Sequence, residues 1–227
     1  MTNTERMGAG QRGSGGRHLA VLGGTGRSGR LLIDEALAAG HEVRVLARDP
    51  ARLHRQDPRL IPVTGDARDP QAMAAVLEGV DAVLSALGPM RGEARGDGSG
   101  VMTRAAENLV TAMPGAGVTR LISMTGAGVA QPGDQPRVLD RVIRTALRLS
   151  QPDVLRDSEG HVARLRVSDL DWTVVRVPML VDGPGQAVRV GRVGDIGPRV
   201  SRASVATFML AQLGSDRWLR QAPAISH

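Results

Sequence analysis

Short apolar runs alternate with stretches of helical periodicity along most of the chain. The runs are typical of buried strands, and we predict six, at 18–23, 41–48, 59–66, 81–88, 119–126 and 171–178. Between the runs, apolar residues recur every three or four positions and predict helices at 28–39, 70–77, 101–113, 137–150 and 152–167. Strands joined by helical crossovers form a parallel sheet, so we expect an α/β fold with a doubly wound sheet covered on both faces.

The pattern breaks at both ends of this alternation. Residues 1–17 are rich in Gly, Ser and Arg without any period, and we expect a disordered tail there. With 227 residues, the chain is long enough for one domain, which we place at 18–220. Residues 179–213 are first Gly-rich and then helical, with Ser201 as the expected cap, and we expect this segment to cover the substrate. The stretch 89–100 has the composition of a mobile lid or of a plain connector.

Composition removes several kinds of chemistry. The chain has no cysteine, which excludes disulfides, thiolate nucleophiles and iron–sulfur clusters. It also has neither lysine nor tyrosine, so all 29 basic residues are arginine, and 23 acidic residues leave a net charge of +6. These arginines are scattered and aromatic residues make up 1% of the chain, so no nucleic-acid partner is expected. No spacing resembles a metal-ligand set, and no G-x-S-x-G elbow of a serine hydrolase is present.

No apolar run reaches the length of a membrane span, and the N-terminal residues lack the apolar core of a signal peptide. The sequence therefore predicts a soluble, cytoplasmic protein without a membrane partner. A homo-oligomer is left open, because apolar helices such as 138–149 could pack on the sheet or on another subunit.

A glycine-rich turn, VLGGTGRSGR at 21–30, joins the first predicted strand to the first helix. Glycines in such a turn let backbone N–H groups approach a pyrophosphate, and the position at the start of a β-α-β unit is that of a Rossmann-type NAD(P)-binding domain. Two glycine registers overlap, so the motif leaves the Rossmann variant open. The residues of this turn that we expect to contact the cofactor are Gly23, Thr25, Gly26, Arg27, Ser28 and Gly29.

The next strands refine the choice of cofactor. Arg48 ends the second strand, where NADP sites place an arginine for the 2′-phosphate, and this favours NADP(H) over NAD. Asp49 is read as a turn residue before Pro50. Asp66 and Ala67 follow the third strand and are expected beside the adenine ring. Small residues ending the fourth strand would let the ribose approach the backbone: Ser85, Ala86, Leu87 and Gly88.

Taken together, these stretches and the later LISMTGAGV at 121–129, LDWTVVRVPML at 170–180 and SRASVATFMLAQL at 201–213 resemble the atypical short-chain dehydrogenase/reductases. The resemblance covers about 18–220 and is to the compact branch that includes flavin reductase/biliverdin reductase B-like and NmrA-like proteins. It implies an NADP(H)-binding Rossmann domain, usually a reductase, with Thr125 and Pro178 also beside the cofactor.

The usual Ser-Tyr-Lys triad of the wider superfamily is absent, because the chain has no tyrosine and no lysine and Gly126 stands where the serine would fall. Thr125, Ser123 and His161 are the remaining candidates for proton transfer, although a solvated helical histidine is the plainer interpretation of His161. We expect hydride transfer to a planar acceptor such as a flavin, a quinone or an aromatic metabolite. The alternatives are an NADP(H)-sensing regulator of NmrA-like type and an enzyme of non-redox epimerisation, dehydration or cyclisation.

Overall fold

The computed structural model describes residues 16–88 and 100–227. An eight-stranded sheet has the order β3-β2-β1-β4-β5-β6-β10-β8, and a separate parallel pair joins β7 to β9. All neighbours in the large sheet are parallel except β10 and β8. The predicted doubly wound sheet is therefore confirmed, with one antiparallel edge. The strands are β1 (His18–Leu22), β2 (Glu42–Ala47), β3 (Leu60–Thr64), β4 (Ala82–Ser85), β5 (Arg120–Gly126), β6 (Asp171–Val177), β7 (Met179–Val181), β8 (Arg189–Gly191), β9 (Arg199–Ser201) and β10 (Ala224–Ser226).

Helices cover both faces of the sheet. The first and last helices pack on one face and on each other, whereas the second, third and fifth lie on the opposite face. Because both faces are buried, Leu19 to Leu22 of β1 are all apolar although their side chains point alternately to the two faces, which explains the continuous hydrophobic runs in the sequence. The helices are α1 (Arg27–Ala38), α2 (Pro70–Val76), α3 (Val101–Gly115), α4 (Val138–Ser150), α5 (Pro152–Arg166) and α6 (Arg202–Ala211).

The folded part of the chain begins before the predicted boundary at residue 18. Arg17 was assigned to the tail, but its backbone N–H donates to His41 Nδ1 at 3.0 Å and its guanidinium to the carbonyl of Leu213 at 2.6 Å. The folded part therefore includes Arg17. Residues 1–15 of the predicted tail and 89–99 of the predicted lid or connector lie outside the described residues.

The predicted C-terminal boundary of the domain at 220 was wrong. The sheet extends past 220, because β10 lies between β6 and β8; a three-residue strand is too short to leave a periodic pattern. The helical part of 179–213 forms α6, which packs on α1 within the core. Ser201 caps α6 as predicted and accepts a hydrogen bond from the backbone N–H of Ser204.

A buried ion pair fixes the link between β5 and α4. Arg176 on β6 is 1% exposed and donates to both carboxylate oxygens of Asp134, at 2.6 and 2.9 Å. The same guanidinium donates to the carbonyls of Val129 and Ala222, and Asp134 also accepts from the backbone N–H of Val193. One carboxylate and one guanidinium thus connect four separate segments of the chain. Burial alone would raise the pKa of Asp134, but the hydrogen bonds from Arg176 and from backbone N–H groups outweigh it and hold this pKa below its ordinary value.

Candidate cofactor-binding site

The glycine turn forms a tight loop between β1 and α1. Gly23 has a φ of +77°, a conformation that a residue with a Cβ rarely adopts. A Cβ on Gly29 would lie 2.1 Å from the carbonyl oxygen of Gly23, so only glycine lets the first turn of α1 pack this closely on the loop. The backbone N–H of Gly26 donates to that same carbonyl at 3.0 Å. Both glycines are therefore required by the shape of the loop itself.

The N-terminus of α1 offers an environment suited to an anion. Backbone N–H groups of a first helical turn have no partner within the helix, and the helix dipole adds partial positive charge. Within the described part of the chain no side chain caps this end, and its first turn carries no acidic residue. Arg27 adds a guanidinium 3.7 Å from the exposed carboxylate of Asp182. A phosphate group fits such a site by charge and by hydrogen-bond donors.

A cavity of about 480 Å³ extends from this turn along the carboxyl ends of β1, β2, β3 and β4. In an open α/β sheet, ligands bind at this edge where the strand order reverses, and here the reversal lies between β1 and β4. Residues from α3 and α5 close the other wall, among them Val101 and Asp157. The cavity therefore joins an anion site to a largely apolar pocket.

Basic side chains surround the end of the cavity nearest β2 and β3. Arg48, Arg52 and Arg68 all line it. Asp49 also lines it, but its carboxylate accepts from the backbone N–H of Ala51 and so stabilises the short turn that follows, as its position before Pro50 had suggested. An acid engaged in this way is a poorer partner for a ribose hydroxyl than the arginines are for a phosphate.

Asp66 lies at the same end of the cavity and makes a bidentate ion pair with Arg68, at 3.0 and 2.9 Å. This hydrogen bonding with Arg68 is the main reason why the pKa of Asp66 is lowered, and its carboxylate is charged at neutral pH. A charged carboxylate can still accept a further hydrogen bond, such as one from an amino group of a base.

The structure brings together nine of the residues predicted to hold the cofactor. The residues that line the cavity are Gly23, Thr25, Gly26, Arg48, Asp66, Ala67, Ala86, Leu87 and Gly88. Arg27, Ser28 and Gly29 lie next to it in the first turn of α1, and Ser85 is buried in β4. Pro178 and Thr125 follow or end strands farther along the sheet and do not line it.

Sequence reasoning missed part of the lining. Arg52 and Arg68 were not named, although each follows a predicted strand by a few residues and could have been found from that spacing. Val101, Val154 and Asp157 reach the cavity from helices that are distant in sequence. No local pattern reports such a contact.

The three candidates for proton transfer lie on β5 and α5, and two of them bond to each other. The ring of His161 is 3% exposed, so the interpretation as a solvated histidine is wrong. Its Nδ1 lies 3.4 Å from the carbonyl oxygen of Met102, which can only accept, and this places the proton on Nδ1. Nε2 is then free to accept from the hydroxyl of Ser123 at 3.0 Å. Ser123 and His161 are therefore hydrogen-bonded to each other in the interior of the fold.

Thr125 differs from this pair. Its side-chain oxygen is buried and has no hydrogen-bond partner among the described residues. Thr125 points to the same face of the sheet as Ser123, two positions closer to the carboxyl end of β5. Of the three candidates, it is the one whose hydroxyl is not hydrogen-bonded within the described part of the chain.

Asp157 organises the helix behind the cavity. Its carboxylate accepts from the backbone N–H groups of Met102 and Thr103, at 3.0 and 2.9 Å, and from the Thr103 hydroxyl at 2.8 Å. Gly100 stands at the N-cap position of α3 and has no side chain to supply this function. A residue of α5 therefore caps α3 and holds both helices at the cavity wall.

The buried imidazole predicts a dependence of stability on pH. Burial lowers the pKa of His161 from 6.5 to about 4, although the contact with Met102 and the charge of Asp157 oppose the shift. As the pH falls, this ring is protonated in the unfolded chain before it is protonated in the folded protein. The contribution of the neutral His161 to the free energy of unfolding is therefore fully present above pH 6.5 and is lost as the pH falls toward 4. We expect this group to remove about 3 kcal/mol of unfolding free energy over that interval.

Urea unfolding of the wild type and of His161→Gln at several pH values between 4 and 7.5 checks this expectation. The variant should be less stable near pH 7.5, and the difference in unfolding free energy should shrink as the pH falls. A difference that stays constant with pH would show that His161 titrates alike in both states.

Comparison with known proteins agrees with this geometry. A model of an NAD(P)H-binding family matches residues 23–216. The chain belongs to this NAD(P)H-binding family. The matched range begins at the first glycine of the turn, directly after β1, and includes β2, β3 and β4, so the family assignment and the cavity concern largely the same part of the molecule.

Three solved structures share the fold of this NAD(P)H-binding protein. The oxidoreductase ylbE from Lactococcus lactis superposes with a TM-score of 0.77 at 19% identity, covering 92% of this chain and 90% of that one. The anaerobilin reductase ChuY from Escherichia coli O157:H7 gives 0.75 at 18% identity, with 92% and 96% covered. A wide-type short-chain dehydrogenase/reductase from Veillonella parvula in complex with NADP gives 0.72 at 15% identity, with 93% and 94% covered.

The residues present fit a nicotinamide dinucleotide. The glycine turn leaves space that a Cβ would fill, the helix end supplies donors for a pyrophosphate, and Ala86 to Gly88 supply small or apolar contacts. The carboxyl ends of β1 to β4 are therefore the candidate dinucleotide site of this NAD(P)H-binding protein.

Proposed function

We propose that the protein is an NADP(H)-dependent reductase that transfers hydride to a planar acceptor such as a flavin, a quinone or an aromatic metabolite. The observation that carries the choice of cofactor is the group of three arginines, Arg48, Arg52 and Arg68, at the end of the cavity bordered by β2 and β3. In Rossmann domains the ribose 2′ position reaches the end of β2, and an arginine there accommodates a 2′-phosphate. The NADP bound in the relative from Veillonella parvula supports the same choice.

The absence of tyrosine and lysine from the sequence favours an acceptor that needs no strong proton donor. A bound nicotinamide would supply the hydride, and a flavin or quinone can take its proton from solvent. The protein would then contribute binding, orientation and exclusion of water. Ser123 and His161 lie behind this site and, because each bonds the other, we assign them a role in holding β5 against α5.

Thr125 is the residue that we assign to the acceptor side of the site. Its hydroxyl has no partner in the described part of the chain and lies near the carboxyl end of β5, next in the sheet to β4 at the cavity. A buried hydroxyl without a partner costs free energy, and a ligand that bonds it would recover that cost. The carbonyl oxygen of a quinone or flavin is a suitable partner.

A fluorescence titration with NADPH and NADH tests the cofactor. We expect preferential binding of NADPH, and Arg48→Gln should weaken it by about 10- to 100-fold, because a charge-assisted hydrogen bond to phosphate contributes about 1.5–3 kcal/mol. NADH binding should change little. As a control, Arg59→Gln removes the same charge just before the amino end of β3, at the end of the strand away from the cavity. Equal loss for both cofactors in Arg48→Gln would contradict a 2′-phosphate contact.

The acceptor is tested by adding FMN, riboflavin and simple quinones to the NADPH-bound protein while the nicotinamide absorbance is recorded. Oxidation with one of these classes supports the reductase. Tight NADPH binding without oxidation across the panel would overturn it and favour an NADP(H)-sensing regulator, or an enzyme whose product forms without a net change in NADPH.

A further inference from the structure

Helix α4 presents its apolar side to solvent. None of its 13 residues is buried, and the most exposed apolar side chains are Val138 at 77% and Leu149 at 81%. Leu139, Val142 and Ile143 are also exposed. Positions 138, 142 and 149 fall on one stripe of the helix, because they are separated by four and seven residues. An exposed stripe of this kind usually marks an interaction surface.

The stripe points away from the rest of the protein. The partly buried residues of α4 include Leu147 and Arg144, and the latter forms an ion pair with Glu159 of α5. These positions lie on the opposite side of the helix from Val142 and Leu149. The helix therefore rests on the protein by the side that carries Arg144 and Leu147 and forms a ridge whose exposed crest is apolar.

Arginines border this crest. Arg137 stands at the N-cap, and Arg141 and Arg148 are exposed on one flank. Asp140 is the one acidic residue of the helix, and its carboxylate is engaged with the backbone N–H of Arg137. The exposed surface of α4 thus combines an apolar stripe with a positively charged border.

We propose that α4 docks on the surface of an anionic lipid bilayer, with the stripe in the acyl boundary and the arginines at the phosphate groups. A helix with a charged flank and a separate apolar face, rich in basic residues, has the features of helices that lie in a membrane interface. Its length, about 20 Å for 13 residues, lies in the plane of the surface. This inference does not depend on the redox function.

Charge favours an anionic lipid surface over a second copy of the chain as the partner of α4. A symmetric pairing of two α4 ridges would bring the arginine borders of two proteins with a net charge of +6 together. An anionic surface neutralises those arginines, and a convex ridge can enter a fluid interface without needing a matching groove. The expectation of no membrane partner rested on the lack of a spanning segment, and no described helix is long and apolar enough to cross a bilayer. A helix that lies on the membrane surface does not need to be a spanning segment.

Flotation with vesicles tests the proposal. The protein should float with vesicles containing about 30% phosphatidylglycerol, remain unbound with pure phosphatidylcholine, and be released as salt is raised to about 0.5 M. The double variant Val142→Asp/Leu149→Asp and the double variant Arg141→Gln/Arg148→Gln should each bind at least 10-fold more weakly. Val167→Asp is the matched control, because this valine is 84% exposed just beyond the end of α5 and should leave binding unchanged. All these positions are exposed, so melting temperatures should not change.

The lack of cysteine allows a direct measurement of contact. Leu149→Cys carrying an environment-sensitive dye should shift to shorter wavelength on anionic vesicles, and Val167→Cys carrying the same dye should not. No flotation with either vesicle would overturn the proposal. An unchanged emission wavelength of the dye at position 149, or a loss of vesicle binding in Val167→Asp equal to that of the other variants, would overturn it as well. A dimer in sedimentation that Val142→Asp/Leu149→Asp dissociates would also overturn it and would assign the stripe to a second copy of the chain. An acidic protein that captures the helix while vesicles do not would overturn it in the same way.

Discussion

Replacing Gly29 by alanine is expected to weaken NADPH binding by at least about 100-fold. The new Cβ would lie 2.1 Å from the carbonyl oxygen of Gly23 and 2.8 Å from the Cα of Gly24. Both contacts are with backbone, so the turn must move. Moving it takes the N–H groups at the start of α1 away from the proposed position of the pyrophosphate, and the loss of two hydrogen bonds to a charged group amounts to roughly 3–6 kcal/mol.

Gly115→Ala provides the matched control for this experiment. It is also a glycine within a helix, at the last residue of α3, but a Cβ there meets nothing within 4 Å. Removing a helical glycine without a clash should leave binding intact and stabilise the fold by roughly 0.5–1 kcal/mol. Isothermal titration with NADPH and thermal melting separate the two effects. NADPH binding of wild-type strength in Gly29→Ala would mean that the turn does not hold the cofactor.

Arg176→Met is expected to lower the free energy of unfolding by about 3–5 kcal/mol. The substitution leaves the carboxylate of Asp134 buried without its cation and removes the donor from the carbonyls of Val129 and Ala222. Such a loss is a large fraction of the stability of an ordinary domain, so the measurement is best made by urea unfolding at low temperature. A smaller loss in the double variant Arg176→Met/Asp134→Asn than in the sum of the single variants would measure the coupling between the two residues.

Arg156→Met is the control for the loss of an ion pair. Arg156 is exposed and pairs with Asp153 one turn earlier in α5 at 2.9 Å. Because water screens this pair, its removal should cost less than about 1 kcal/mol. If Arg176→Met cost no more than that, the pair at Arg176 would have to be open to water.

The sequence predicted the elements whose pattern is local. Except for the edge strand β3, which is partly exposed, the runs that became β1 to β6 are mostly buried on both sides, and that burial makes them continuous and easy to recognise. The glycine turn and the strand ends at Arg48 and Asp66 were predicted for the same reason, since a parallel sheet brings successive strand ends to one edge. A cavity wall made by local motifs could therefore be predicted before the structure.

Features that depend on long-range packing could not be predicted. His161 has the helical periodicity of either a buried or an exposed position, and only its pairing with Ser123 across 38 residues shows which applies. The cap that Asp157 supplies to α3 bridges 55 residues, and the pairing of β10 depends on two neighbours that are far away in the chain. Each of these contacts is fixed by tertiary structure, which leaves no mark on the residues beside it.

The position of β10 has a consequence for the order in which the sheet is completed during synthesis. Chains are made from the N-terminus, and β1 to β6 can pair as they emerge because each finds its neighbours among earlier residues. β8 precedes β10 in the chain but, within the described residues, its backbone pairs with the sheet through β10, so residues 189–191 cannot join the sheet until residues 224–226 have been made. The half of the molecule that surrounds the glycine turn can thus form early, while the edge beyond β6 closes last. A nascent chain could therefore acquire its nucleotide before its final edge is in place.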